Sequence, residues 1–263
     1  MMDLKISLIQ SDLYWENIEA NLAHFEEKIW DVSEETDLIV LPEMFSTGFT
    51  MNVKQLSEPP HFRTFRWMVQ MANQKKAVIM GSYIVKEKNS YFNRLYALYP
   101  DGTYRYYDKK HLFALGKEQD FFEPGEEKAI ITIKEWKICP LICYDLRFPV
   151  WSRLNSNGLD LYEYDVLIYI ASWPKMRINA WDTLLSARAI ENQSYCVGVN
   201  RTGIDGNGLE YLGHSCVYDF LGDRQADLGT SVTTSTTVLS KEGLNLFRSK
   251  FPFQKEADSF NFL

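Results

Sequence analysis

The sequence predicts one α/β domain in which a mixed sheet is covered by helices. Three observations lead there. Short apolar runs of strand character alternate with longer segments whose apolar residues recur at helical spacing, the pattern of a sheet clothed in helices. An Asp101-Gly102 dipeptide between two such runs marks a hairpin, so the sheet is not purely parallel. The chain has 263 residues, length for one to two domains, yet no Pro-, Gly- or Ser-rich linker, repeat or low-complexity segment divides it.

In order along the chain, Leu4–Gln10 reads as a strand. The spacing of Ile18, Leu22, Phe25 and Ile29 predicts a helix over 17–30, and 38–41 follows as a buried strand. Residues 62–75 return to helical spacing through Phe62, Phe65, Trp67-Met68 and Met71, and 78–85 is a strand. Residues 91–99 and 104–107 flank the Asp101-Gly102 turn. Strands are expected at 130–133, 138–142, 166–170 and 196–199, with a helix over 178–193 carried by Ile178, Trp181, Leu184-Leu185 and Ile190. Strands at 214–218 and 231–239 close the pattern.

Hydrophobic residues at 46% and charged residues at 24% are ordinary for a globular chain and exclude a disordered one. The balance of 28 Lys+Arg against 35 Asp+Glu leaves −7, so neither nucleic acid nor an anionic membrane is an expected partner. Cys139, Cys143, Cys196 and Cys216 are too few for a disulfide framework, and each sits in an apolar run. An early acid in Met1-Met2-Asp3-Leu4-Lys5 argues against a secretory signal. The longest apolar run, Val166–Ala171, is too short to span a bilayer, and a cytoplasmic location is expected.

Three strand ends differ from the rest. One runs into Pro42-Glu43, one into Asp108-Lys109-Lys110-His111, and one into Cys143-Tyr144-Asp145-Leu146-Arg147. Open α/β sheets bind ligands beyond the carboxyl ends of their strands, so an acid, an amine and a thiol delivered there can share one pocket. A free thiol is only about 3% ionised at pH 7, so a nucleophilic cysteine needs an activating neighbour. Cys143 stands where charged and hydroxylated residues begin, unlike the other three cysteines, which read as buried small hydrophobes. Burial of Glu43 behind an apolar strand would suit a general base, although most glutamates are solvated loop residues. Lys109 lies in a cluster that on spacing alone is a solvated turn. His111 and His214 are the candidates for a Cys–His pair, and no local signature favours either over a core or loop histidine. Neither a G-x-S-x-G, a P-loop, an H-E-x-x-H nor a C-x-x-C occurs, and Gly203, Gly206, Gly208 and Gly213 read as a flexible loop. No metal and no nucleotide cofactor is therefore expected.

Leu41-Pro42-Glu43-Met44-Phe45, Tyr107-Asp108-Lys109-Lys110-His111-Leu112-Phe113 and Ile142-Cys143-Tyr144-Asp145-Leu146-Arg147-Phe148-Pro149 resemble the three signature segments of the nitrilase, or carbon–nitrogen hydrolase, superfamily. The resemblance continues through Ala187-Arg188-Ala189-Ile190-Glu191-Asn192-Gln193 and Asn200-Arg201, and it covers about residues 4–239. It implies a single domain over 1–263 with a C-terminal tail at 240–263, and a four-layer α-β-β-α sandwich with mixed sheets. It also implies a Glu43–Lys109–Cys143 triad, the lysine being the one two positions before the histidine. A second glutamate precedes a Pro-Gly turn by six residues in similar sequences; Pro124-Gly125 selects Glu118 (124 − 118 = 6) and leaves Glu123, Glu126 and Glu127 as solvated acids.

Within the superfamily, residues 144–153 and Ser172-Trp173-Pro174 are most similar to bacterial ω-amidases, which release ammonia from 2-oxo acid amides such as 2-oxoglutaramate and 2-oxosuccinamate. The implied chemistry is a cysteine thioester formed on Cys143. Glu43 serves as base, Lys109 and the Tyr144 N–H hold the oxyanion, and Glu118 positions Lys109 or the amide. Tyr144, Trp173 and Arg147 are the implied substrate contacts; Arg147, Arg177 and Arg201 all remain candidates for a substrate carboxylate. The alternatives within the superfamily are a deaminated-glutathione amidase, an N-carbamoyl hydrolase or a nitrilase. A catalytically silent binding or assembly module is the alternative of another class, and the filled Glu, Lys, Glu and Cys positions speak against it. The expected partners are a small-molecule amide and further copies of the chain, as a homodimer or a larger assembly.

Overall fold

A computed structural model of the chain describes residues 2–32, 35–154, 161–258 and 260. β1 (Leu4–Gln10), β2 (Leu38–Val40) and β3 (Val78–Glu87) run parallel, with β4 (Ser90–Leu98) and β5 (Tyr104–Asp108) added antiparallel beyond β3. β14 (Thr233–Leu239) pairs antiparallel with β1, giving a first sheet of order β14-β1-β2-β3-β4-β5. The second sheet has the same logic. Its parallel centre is β7 (Trp136–Ile142), β8 (Val166–Ala171) and β9 (Tyr195–Asn200), with β6 (Ile131–Ile133) antiparallel at one side. β12 (Cys216–Tyr218) and β13 (Arg224–Asp227) complete the other side.

The two-residue period of a strand sorts the side chains into layers. Leu4, Ile6 and Leu8 of β1, Val40 and Met80 face inward and join the core formed with the second sheet. Ile9, Ile39, Ile79 and Tyr83 face outward under Phe25 and Ile29 of α1 (Ile18–Trp30) and Met68 and Met71 of α3 (Arg63–Lys75). On the far side of the second sheet, Trp181, Leu185 and Ala189 of α5 (Ile178–Asn192) close the core. α5 lies directly on the β9 backbone: a Cβ added at Gly198 would fall 2.4 Å from Leu185 Cδ1. Helix, sheet, sheet and helix are thus stacked as the four-layer sandwich with mixed sheets.

Local chemistry sets the ends of these elements. Asn17 caps α1 by accepting from the Ala20 N–H, and Gln193 ends α5 in a left-handed conformation. Gly102, at φ +84°, makes the expected turn between β4 and β5.

Three expectations need correction, and two short helices went unpredicted. Gly203, Gly206 and Gly208 do not form a shapeless loop: β10 (Thr202–Ile204) and β11 (Glu210–Leu212) are an antiparallel hairpin. The glycines permit close approach, since a Cβ at Gly203 would lie 2.1 Å from the Asp12 carboxylate and one at Gly206 2.3 Å from the Trp15 indole. The strand expected over 214–218 begins at Cys216, because His214 takes φ +57° and breaks the extended run. Residues 240–263 are not all tail: α6 (Lys241–Lys250) buries Leu244 and inserts Arg248 between Asp165, the Tyr164 carbonyl and the Gln193 carbonyl. Its polar sequence hides an amphipathic face; residues 259 and 261–263 of the expected tail lie outside the described residues. Finally, α2 (Val53–Leu56) and α4 (Pro149–Ser152) are single turns too short to show a helical period.

Candidate active site

Glu43, Lys109 and Cys143 follow the carboxyl ends of β2, β5 and β7, and the sandwich brings those ends together. Lys109 Nζ lies 2.8 Å from Glu43 Oε1 and 3.0 and 2.8 Å from the two oxygens of Glu118. All three side chains are fully buried. Glu43 reaches across to the second sheet, where its Oε2 accepts from the Ser172 N–H at 2.8 Å. The Ser172 carbonyl in turn lies 4.0 Å from Cys143 Sγ. Glu118 also accepts from the Phe113 N–H at 2.7 Å, so the loop carrying it is closed onto its own carboxylate.

Three of the left-handed non-glycine residues lie at or beside these positions. Cys143 has φ +44° at the start of a 3₁₀ turn over Cys143–Arg147, Met44 beside Glu43 has φ +47°, and Lys117 beside Glu118 has φ +58°. Left-handed backbone at non-glycine residues costs about 1–3 kcal/mol each and persists where the surroundings enforce it. Asp145 enforces the turn at Cys143: its Oδ2 accepts from the Ile142 N–H at 3.0 Å and the Tyr107 hydroxyl at 2.8 Å. Its Oδ1 accepts from the His111 N–H at 2.9 Å and meets His111 Nδ1 at 2.8 Å. The segment that delivers Lys109 is thereby tied to the segment that delivers Cys143.

Burial works against the Lys109 charge, but the Glu118 and Glu43 carboxylates outweigh it and hold the ammonium above its ordinary range. Burial raises the Glu118 carboxyl, with Lys109 opposing. Burial and then the Glu43 carboxylate push the Cys143 thiol well above its ordinary value, against the pull of Lys109. A thiol held up in this way beside a buried carboxylate is suited to giving up its proton at the moment of attack.

Lys109, Cys143, Tyr144 and Ser172 open onto a cleft of about 640 Å³. Trp173, Phe49 and Phe113 form apolar walls, and the β10–β11 hairpin adds Asp205, Leu209 and Tyr211. Arg147 lies over the Trp173 ring at 4.8 Å and Arg177 over the Phe113 ring at 5.2 Å, both lining the cleft. Arg201 is a correction among the candidate carboxylate contacts: it is fully buried, paired with Asp12 at 2.8 Å and packed on Tyr211 at 4.6 Å. His111 and His214 pair with Asp145 and Asp182. Cys139, Cys196 and Cys216 are buried, and Glu123, Glu126 and Glu127 are exposed.

Sequence reasoning missed three contributors. Asn93 of β4 donates to both glutamates, at 2.9 Å to Glu43 Oε1 and 3.3 Å to Glu118 Oε1. Ser172 contributes backbone groups, which no side-chain pattern reveals. Asn200 clamps Trp173 by accepting from its N–H at 2.7 Å and donating to its carbonyl at 3.0 Å. An asparagine inside an otherwise strand-forming segment is the one signal that could have marked Asn93 or Asn200. Among the described residues, no group of His, Cys, Asp and Glu could hold a metal ion, and no helix is long and apolar enough to cross a membrane.

A chain with this sandwich and this buried carboxylate–ammonium cluster beside a thiol has clear relatives. Residues 5–246 match the carbon-nitrogen hydrolase family. The chain is 40% identical over 261 residues to omega-amidase YafV of Yersinia enterocolitica, covering 99% of each, and 41% identical over 261 residues to that of Escherichia coli K12, again 99% of each. It is 32% identical over 231 residues to 2-oxoglutaramate amidase of Bacillus subtilis, covering 87% of each. The crystal structure of XC1258 from Xanthomonas campestris, a CN-hydrolase superfamily protein with an arsenic adduct in its active site, is 37% identical and superposes with a TM-score of 0.97 over 100% of both chains. The chain belongs to the carbon-nitrogen hydrolase family. More narrowly, it is a hydrolase acting on carbon–nitrogen bonds of non-peptide amides.

Proposed function

We propose that the enzyme is an ω-amidase that hydrolyses the terminal amide of a 2-oxo acid amide, such as 2-oxoglutaramate, to the acid and ammonia through a thioester on Cys143. The observation that carries this reading is the Lys109 ammonium, gripped by Glu43 and Glu118 on a cleft wall shared with Cys143. The ω-amidase likeness of the relatives supplies the substrate class.

Glu43 takes the thiol proton as Cys143 Sγ attacks the amide carbonyl carbon. The two Lys109–Glu118 contacts can share one N–H and a second N–H goes to Glu43, which leaves the third for the forming oxyanion. The backbone N–H of Tyr144, next to the nucleophile in the strained turn, is the second oxyanion donor; one such donor is worth about 3–4 kcal/mol of transition-state stabilisation. The carbon–nitrogen bond then breaks, and the proton held by Glu43 passes to the departing ammonia. Glu43 next deprotonates a water that attacks the thioester carbonyl, and returns that proton to the leaving Cys143 sulfur. Glu118 acts by holding Lys109. Tyr144 and Trp173 contact the substrate chain, and Arg147, stacked on Trp173, takes the far carboxylate.

Turnover of 2-oxoglutaramate, 2-oxosuccinamate, deaminated glutathione and an N-carbamoyl amino acid tests the assignment, read as released ammonia for all but deaminated glutathione, whose cleavage is read as the released cysteinylglycine amine. Highest kcat/KM is expected on the first two; equal or better values on either of the others would overturn it.

A further inference from the structure

Beyond the residues that carry the reaction, one buried side chain touches both glutamates. We propose that Asn93 is a positioning residue for the hydrolysis: its carboxamide NH₂ aims Glu43 and Glu118 and restricts where Glu43 can receive a proton. The inference rests on the roles given above to Glu43, Glu118 and Cys143 and adds a residue to them.

Asn93 lies in β4 and is 1% exposed. Its Nδ2 donates to Glu43 Oε1 at 2.9 Å and to Glu118 Oε1 at 3.3 Å, one N–H for each carboxylate. Its backbone carbonyl accepts from the Lys109 N–H at 3.1 Å. One residue therefore holds the carboxylates and the peptide unit of the lysine between them. The charged groups facing it are Glu43, Glu118 and Lys109. The amide orientation is forced: turned over, Oδ1 would face two carboxylate oxygens. In the orientation present, Oδ1 is buried without a hydrogen-bond partner among the described residues. An orphaned buried acceptor is unfavourable, and packing alone would not require it.

The lone pairs of Glu43 explain what the arrangement achieves. A carboxylate has about four acceptor sites. On Oε1 they are met by Lys109 and Asn93, and on Oε2 one is met by the Ser172 N–H. The open site is thus on Oε2, the oxygen held by the same Ser172 whose carbonyl lies near Cys143 Sγ. By filling the second site of Oε1, Asn93 leaves Oε2 as the atom that receives the thiol proton.

Two substitutions separate this role from simple packing. Asn93→Ala removes the donor and the volume; Asn93→Asp keeps the volume and turns the donor into an acceptor. Charge-assisted hydrogen bonds are worth roughly tenfold to a hundredfold in an equilibrium constant. The expected kcat loss is about tenfold or more for Asn93→Ala and larger for Asn93→Asp, with KM within about threefold and the acid-side midpoint of the kcat/KM profile moved upward. A packing role predicts the reverse order, Asp milder than Ala, with the acid-side midpoint unmoved, and that result overturns the proposal. If neither variant folds, nuclear magnetic resonance of the asparagine-labelled wild-type protein decides. Both Nδ2 protons of Asn93 should resonate downfield of a solvated carboxamide; a pair at the solvated position overturns it. Cys143→Ala and Glu43→Gln run alongside keep the two failures apart. Turnover retained in either breaks the assignment of the site, whereas both inactive with the Asn93 order reversed breaks this inference alone.

Discussion

Both carboxylate oxygens of Glu118 lie within 3.0 Å of Lys109 Nζ, whereas Glu43 meets it through Oε1 alone. This geometry fits the proposed role of Glu118 as the lysine's holder and leaves the second oxygen of Glu43 off the ammonium. Glu118→Gln should lower kcat by about a hundredfold with KM within a few-fold, as ammonium misplacement is felt mainly in the transition state. Steady-state ammonia release reads the outcome.

The same substitution carries a signed pH effect on stability. Burial raises the folded Glu118 carboxyl above its ordinary 4.5. A raised folded value means that its contribution is fully present below 4.5 and is lost as pH rises through the folded value. The stability of the wild type relative to Glu118→Gln should therefore fall as pH climbs from about 4.5 towards neutrality. Urea midpoints of the two proteins across that range check the sign.

Glu43→Gln should reduce turnover by about 10²–10⁴-fold while leaving the fold intact, the usual worth of a general base. Circular dichroism and ammonia release on one preparation decide; a variant above about a tenth of the wild-type rate contradicts the role.

Lys109→Ala should be as damaging and should also cost about 3–5 kcal/mol, since it strips the counter-ion from two buried carboxylates. Lys110→Ala should be mild in both respects, because Lys110 is half-buried and its ammonium lies over the Trp151 ring at 5.3 Å, outside the Glu43–Lys109–Glu118 cluster. Thermal melts and rates of the pair test the register of the motif.

Iodoacetamide should label Cys143 before Cys139, Cys196 and Cys216, because it alone of the four lines the cleft. Since its thiol sits above the ordinary 9.0, the labelling rate should keep climbing beyond that pH rather than level off near it. Peptide mapping after short exposure across a pH series gives both answers.

Much of the fold was legible in the sequence because strand and helix periods were strong where layers pack. Ile18, Leu22, Phe25 and Ile29 announced α1, and each of the four proved buried against the first sheet. α6 was not legible, because its anchor is Arg248, a charged residue whose partners Asp165, Tyr164 and Gln193 lie far away along the chain. In the site, Glu43 and Cys143 stood out as polar residues ending apolar strands, whereas Glu118 was reached through resemblance alone. Ser172 lay in a recognised segment but makes its contact through its backbone, and Asn93 makes side-chain contacts with residues 50 and 25 positions away, so neither residue's part in the site could be read locally. Arg201 looked available for a substrate carboxylate; only the fold shows Asp12 already paired with it.

The Glu43–Ser172 bond crosses from one β-layer to the other, so the reaction centre sits astride the seam of the sandwich. Each half of the molecule owns part of the machinery and neither owns all of it. A slip of one layer along the other, small enough to leave every helix and strand intact, would pull the proposed base, Glu43, and the proposed nucleophile, Cys143, out of register. Catalysis is thus a stricter gauge of native assembly than secondary structure: in mild denaturant the enzyme should fall silent while its far-ultraviolet spectrum still looks native.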